Sequence, residues 1–351
     1  MGWVMGLVGV LGVLMLGMGA LAVVTTTREG GIFNPLPTST PTPTPDPVTV
    51  VFPMIGADSP LYEEASRLMN SPLSVRVFDP VTGDSVYWEA MPSEWGKWVS
   101  VAQSPDSPLG YAFWADDAPL HDFLTQRAQS NLDATRTLNF DEGVLSLQNA
   151  LTKGDLTGAW VQVRHQERVH TVQAGESLTS IAWDYGVPYL YIQNLNGGQT
   201  TFGIGQQVLI PPADLFLTLP VVPNKRIEIS ISQQVTRVYE DGQLLYEWAS
   251  STGISDSPTW TGVYQVMFRE LNAYASNWNL YMPYFIGVYQ PVPNADFTNG
   301  FHGFPTRGGG QLLWENSLGR RVTYGCILLN TQNIQWLYEW ADVGVVVRII
   351  A

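Results

Sequence analysis

The chain reads as multidomain: a mainly-β sandwich or barrel over residues 219–351, a small βααβ unit over 169–212, and an α+β region over 48–168. Two observations in the C-terminal half predict most of this. Ile227, Ile229 and Ile231 alternate with Glu228, Ser230 and Ser232, the period of a half-buried strand. Leu178, Ile181, Ala182 and Tyr185 instead fall at i, i+3, i+4 and i+7, one apolar face of a two-turn helix. A third observation sets the N-terminal boundary: an uncharged apolar run, Met1 to Val24, passes into a Pro/Thr-rich spacer over 25–47.

The apolar run is long enough to span a bilayer core as a helix. Ala20-Leu21-Ala22 suits signal-peptide cleavage, whereas the length of the run favours a retained membrane anchor; both readings stay open. The alternating Pro and Thr of residues 35–45 can build neither a helix nor a sheet ladder and favour extended polyproline conformation. Such a spacer suits domains held at a membrane and reaching away from it.

The bulk numbers exclude several classes. In 351 residues the net charge is −14 and no Lys/Arg run occurs, which disfavours nucleic acid, where affinity comes largely from phosphate neutralisation. Hydrophobic residues make up 45% and charged ones only 14%, so cores can form. A single cysteine, Cys326, forbids an intramolecular disulfide. His121, His165, His170 and His302 form no Cys/His cluster, so no metal or other cofactor is expected; His121 and His165 read as ordinary surface residues.

In region 48–168, Ser74–Phe78 and Ser85–Trp88 flank Asp79-Pro80-Val81-Thr82-Gly83-Asp84 as a hairpin. Trp98–Val101 and Gly110–Trp114 add two strands, and Pro119 to about Leu151 is helical. The four strands resemble a bacterial SH3-like module, a small barrel often attached to wall enzymes.

The stretch 169–212 is better defined. His170-Thr171-Val172 opens as a strand, Ser177 caps the first helix, and Gly186 stops it. Pro188 opens a second helix that ends at Asn196-Gly197, and Gln207–Pro211 returns as a strand. With Val172, Gly175, Ser177-Leu178, Ile181-Ala182, Tyr185-Gly186, Asn194, Gly205-Gln206 and Val208–Pro211, this unit resembles a LysM domain along its full length. The resemblance implies binding to N-acetylglucosamine-containing glycan, in a groove near Gly175, Ser177 and Asn196.

In the final third, hairpin signals and short strands recur at the density of an all-β sandwich or barrel. Cys326 follows Thr323-Tyr324-Gly325, and a glycine before a nucleophile lets consecutive N–H groups turn toward a developing oxyanion. His302 lies 24 residues upstream, across Pro305–Gly310, which reads as a long flexible loop. Cys plus His suffices for thiolate acyl transfer, but the same spacing also fits an inert buried cysteine beside an unrelated histidine.

The run His302-Gly303 … Ser317-Leu318-Gly319-Arg320-Arg321-Val322-Thr323-Tyr324-Gly325-Cys326-Ile327 resembles the signature of the YkuD-type L,D-transpeptidases, as do Ser250–Gly253 and Pro258–Gly262. The resemblance implies Cys326 as nucleophile, His302 as its base oriented by the Gly303 carbonyl, and an oxyanion hole from the N–H groups of Tyr324, Gly325 and Cys326. Thr323 would brace the loop. It also implies an exported enzyme of the cell wall acting on peptidoglycan stem peptides. Cross-linking of third-position diamino acids, stem trimming by an L,D-carboxypeptidase, and a wall-binding scaffold without activity are the alternatives. Leu328 stands where the family usually has Arg or Asn, which puts carboxylate recognition in doubt; Arg307, Arg320 and Arg321 are candidate substitutes.

Overall fold

The computed structural model describes residues 60–103 and 111–351. The apolar run and the Pro/Thr spacer lie outside the described residues. No helix among the described residues is long and apolar enough to cross a membrane.

The first region begins with α1 (Pro60–Met69), β1 (Leu73–Phe78), β2 (Ser85–Ala90), the short α2 (Pro92–Trp95), β3 (Val99–Gln103) and β4 (Tyr111–Ala115). It continues with α3 (Asp117–Asn131), β5 (Arg136–Leu138), α4 (Phe140–Lys153) and β6 (Ala159–His165). The expected hairpin forms, with Phe78 opposite Ser85. The SH3-like reading does not hold. The sheet runs β2-β1-β6-β5, and β1 pairs parallel to β6, a connection that small antiparallel barrels lack. The single helix expected over 119–151 is two, interrupted by β5. Leu120, Phe123 and Leu124 of α3 and Val144, Leu147 and Leu151 of α4 are buried in one core with Val75, Val77 and Val161 of the sheet. Each such side chain removes apolar surface worth about 1.5–3 kcal/mol. His165 is half-buried rather than a plain surface residue, with Nε2 3.1 Å from Asp79 Oδ1.

The βααβ unit is β7 (Arg168–Thr171), α5 (Leu178–Tyr185), α6 (Tyr189–Leu195) and β8 (Gln207–Ile210), with β7 antiparallel to β8. Ser177 Oγ accepts the Ser180 N–H at 3.1 Å, satisfying an otherwise unpaired donor of α5's first turn. Gly186 ends α5 at φ +68, where a side chain would be strained.

The last third contributes β9 (Lys225–Ser230), β10 (Val235–Glu240), β11 (Gln243–Ala249), β12 (Gly262–Gln265), β13 (Phe268–Ala275), β14 (Leu280–Tyr289) and β15 (Asn299–His302). After these come β16 (Thr306–Arg307), β17 (Gly310–Gln311), β18 (Ile327–Leu328), α7 (Thr331–Trp340) and β19 (Val346–Ile350). One sheet runs β11-β10-β9-β19-β12. The other runs β17-β16-β14-β15-β18, with β13 also on β14. Their inner faces share a core that includes Ile227, Ile229, Ile286, Phe301, Ile327, Val347 and Ile349. The sandwich expected from alternation is therefore present. α7 was not legible as a helix, because Trp336, Tyr338 and Trp340 favour strands in isolation. It forms because Ile334, Leu337 and Ala341 bury one face, and Asn330 caps it by accepting the Asn333 N–H at 2.8 Å.

The βααβ unit is not a bead on a string. Its buried residues Leu178, Ile181, Ile192 and Val208 belong to the same continuous core as the sandwich. Thr261 Oγ1 donates to the Trp183 carbonyl at 2.7 Å, and Trp260 lies 5.9 Å from the rings of both Trp183 and Tyr189.

Candidate active site

The site is assembled from segments far apart in sequence. β15 pairs parallel to β18, with Phe301 opposite Ile327 and His302 opposite Leu328. This brings His302 and Cys326 to the wall of one cavity of about 450 Å³. His302 Nδ1 lies 2.7 Å from the Gly303 carbonyl oxygen. A carbonyl only accepts, so Nδ1 carries the proton and Nε2 is left as the basic nitrogen. Burial lowers the imidazole pKa to about 4, only partly opposed by the Gly303 carbonyl. Burial likewise pushes the Cys326 thiol up to about 11, against the pull of the Gly300 backbone N–H. Both shifts favour the uncharged forms, thiol and imidazole.

The loop carrying Cys326 is gripped on several sides. The Val322 and Thr323 N–H groups donate to the Thr252 carbonyl at 2.9 and 3.1 Å, and Ile254 N–H donates to the Thr323 carbonyl at 2.9 Å. Gln234 in turn fixes Thr252, accepting its N–H and donating to its hydroxyl. Thr323 Oγ1 donates to the Cys326 carbonyl at 2.6 Å.

Gly325 is required by geometry. Its φ is +105, and a Cβ there would meet Asn299 Nδ2 at 2.5 Å. Its carbonyl accepts from Thr259 Oγ1 at 2.9 Å and Tyr289 OH at 3.3 Å. Pinning that oxygen fixes the trans peptide plane and hence the direction of the Cys326 N–H. No backbone hydrogen bond among the described residues uses the N–H groups of Tyr324, Gly325 or Cys326, as an oxyanion site requires.

Other expectations fare unevenly. Arg307 lines the cavity, donating one N–H to the Trp278 carbonyl at 3.0 Å. Arg320 and Arg321 do not line it; Arg320 is turned back to the Asn316 carbonyl. Pro305–Gly310 is not a long flexible loop but part of a tight ribbon, in which Thr306 pairs with both Tyr281 and Gln311. Leu328, the position that raised doubt over carboxylate recognition, is 0% exposed and does not line the cavity. In the βααβ unit, Asn196 is a clamp: Nδ2 donates to the Ile192 and Leu209 carbonyls, and Oδ1 accepts the Leu209 N–H. Ser177 is occupied as a helix cap, while Gly175 stands open at a turn with φ +86.

Sequence reasoning missed Asn299, Tyr289 and Thr259. Cys326 Sγ donates to Asn299 Oδ1 at 3.7 Å, and Asn299 Nδ2 donates to Tyr289 OH at 3.4 Å. The only local signal was the polar Asn299-Gly300 directly before the apolar Phe301.

Half-buried Cys326 and buried His302 thus share a cavity wall beside backbone N–H groups that no backbone bond uses, the arrangement a thiol acyl-transfer site would need. Residues 224–349 match the L,D-transpeptidase catalytic domain and residues 170–211 match the LysM domain. The chain thus carries both domains, LysM first. Among solved structures, an L,D-transpeptidase from Stackebrandtia nassauensis aligns at 19% identity and TM-score 0.29, covering 38% of this chain and 58% of that one. One from Mycobacterium smegmatis aligns at 15% and 0.32, covering 54% and 90%. A mutant of Enterococcus faecium L,D-transpeptidase aligns at 13% and 0.32, covering 82% and 98%. Likenesses this distant assign no activity. No curated protein matches.

Proposed function

We propose that the protein is an exported peptidoglycan L,D-transpeptidase that works through a thioester on Cys326. The observation that carries this is the neutral pair itself: a proton fixed on His302 Nδ1 leaves Nε2 as a ready base at the wall that holds Cys326. Nε2 takes the thiol proton as Sγ attacks the carbonyl of the third, diamino-acid residue of a stem tetrapeptide. The N–H groups of Tyr324, Gly325 and Cys326 meet the oxyanion. Collapse breaks the peptide bond, His302 returns the proton to the leaving amine, and terminal D-alanine departs. The side-chain amine of a second stem then attacks the thioester, forming the cross-link and releasing the thiol; water in that role gives trimming instead.

The cavity wall suits such substrates. Arg307 offers a guanidinium to a stem carboxylate, while Glu270 and Asp296 offer carboxylates to the ammonium groups of diamino acids. The LysM domain supplies affinity for glycan, with Gly175 at its open turn. Packed on the sandwich, it presents substrate in a fixed relation to the cavity as well as at raised local concentration. The N-terminal segment, as signal or anchor, delivers the chain outside the cytoplasmic membrane.

The test is incubation of the full chain with disaccharide-tetrapeptides, followed by intact-mass spectrometry and product analysis beside Cys326→Ala. A thioester adduct with D-alanine release in the wild type alone supports the reading. Folded wild type that forms no adduct, with tetrapeptides or with a carbapenem, overturns it in favour of a wall-binding scaffold.

A further inference from the structure

Away from the active site, a cavity of about 310 Å³ opens where the N-terminal region meets the sandwich. Its lining includes Arg76 from β1, Lys225 and Arg226 from β9, and Arg348 from β19, against one carboxylate, Glu228. This is an unusual concentration in a chain with 17 basic and 31 acidic residues. Lys225 is matched outside the cavity by Asp342 at 2.8 Å. That leaves three guanidinium groups around Glu228.

Their hydrogen bonding is incomplete. Glu228 Oε2 is shared between Arg226 Nη2 at 3.3 Å and Arg348 Nη1 at 3.5 Å. Arg226 Nη1 donates to the Thr82 carbonyl at 2.7 Å, but its Nε is buried without a partner among the described residues. Arg76 uses Nε on Ser85 and Nη2 on the Pro223 carbonyl. Partly buried charge is tolerated when it is paired and fully hydrogen-bonded, and three guanidinium groups against the single carboxylate of Glu228 fall short of that condition. Burial and then the neighbouring Arg348 pull the Arg226 pKa down, only partly opposed by Glu228.

We propose that this cleft is a binding site for a phosphate group, separate from the acyl-transfer cavity. Phosphate rather than carboxylate follows from the arrangement of the donors. Forks arriving from three different strands suit a tetrahedral group with several oxygens, whereas a planar carboxylate is satisfied by one fork. Because Arg76 belongs to the N-terminal region and Arg226 and Arg348 to the sandwich, a bound phosphate also ties the two together.

The experiment is titration of the full chain with inorganic phosphate at constant ionic strength, read by calorimetry and by thermal midpoint. Arg348→Gln is the main variant, since Arg348 is 37% exposed and its one pairing is Glu228. Arg348→Lys retains the charge, and Arg237→Gln, on the surface pair with Glu247, is the control. The expected result is a saturable rise in midpoint, an affinity weakened about tenfold in Arg348→Gln, partial recovery in Arg348→Lys, and no change in the control. Acetate should give no comparable response. Competition by a soluble poly(glycerol phosphate) assigns the site to a phosphodiester polymer; its failure assigns it to a free phosphate monoester. A response that never saturates, one equal in Arg348→Gln with an unchanged circular dichroism spectrum, or one matched by acetate overturns the proposal.

Discussion

The LysM domain and the candidate active site use opposite constructions. The first is local: one run of 42 residues carries its strands, helices, caps and turns. Its most committed polar side chain, Asn196, bonds to backbone 4 and 13 residues away. The second is non-local. Gly325 is held by Thr259, 66 residues back, and by Tyr289, 36 residues back, while Gln234 grips the strand end that grips the loop. A clamp internal to the local unit, such as Asn196, can be cut with less effect on the cavity than a support of the Cys326 loop, even though the two units share a core.

The sharpest way to separate the two is Cys326→Ala. It should abolish acylation, by at least about 10³-fold, while leaving the thermal midpoint close to wild type, because only a small side chain at the cavity wall is lost. Gly325→Ala should do both kinds of damage. The strained φ and the clash with Asn299 predict a loss of about 1–3 kcal/mol in stability, with acylation falling further than stability explains. Denaturant unfolding beside single-turnover acylation distinguishes these effects. Asn196→Ala removes three hydrogen bonds and should cost about 1–3 kcal/mol, with the acylation rate constant unchanged; a fall in that rate would mean the two constructions are not independent.

The pH dependence is a subtler probe. With the imidazole lowered to about 4, His302 remains a neutral base through mildly acidic conditions. The acylation rate should stay flat from neutral pH down to about 5 and halve near 4, where protonation of His302 removes the base. The same shift has a stability consequence. The unfolded chain protonates first, near 6.5, so stability declines as pH falls from there toward 4. The smallest effects concern the arginines. Arg307→Gln should raise KM about three- to tenfold, and Arg320→Gln should leave kinetics unchanged.

Much was legible beforehand. The alternation of Ile227, Ile229 and Ile231 and the helical spacing of Leu178, Ile181 and Ala182 gave correct elements, since each pattern lies within a few residues of chain. Cys326 and His302 were readable because their motif is compact. Region 48–168 misled for a physical reason: β1 finds its parallel partner β6 more than 80 residues later, and no hairpin signal announces such a pairing. α7 was not legible because burial of Ile334 and Leu337 overrides the strand preference of its aromatics.

By itself the sequence determined the order of units, the sandwich and the βααβ fold, which follow from local periodicity, and through a short motif it singled out Cys326 and His302 as the candidate pair. The tertiary structure decided the rest. It selected Arg307 over Arg320 and Arg321 for the cavity, removed Leu328 from it, and brought Asn299, Tyr289 and Thr259 to the nucleophile's loop. It also gathered Arg76, Arg226 and Arg348 into one cleft. Contacts between residues tens of positions apart depend on strand register and packing, and no single stretch of chain carries that information.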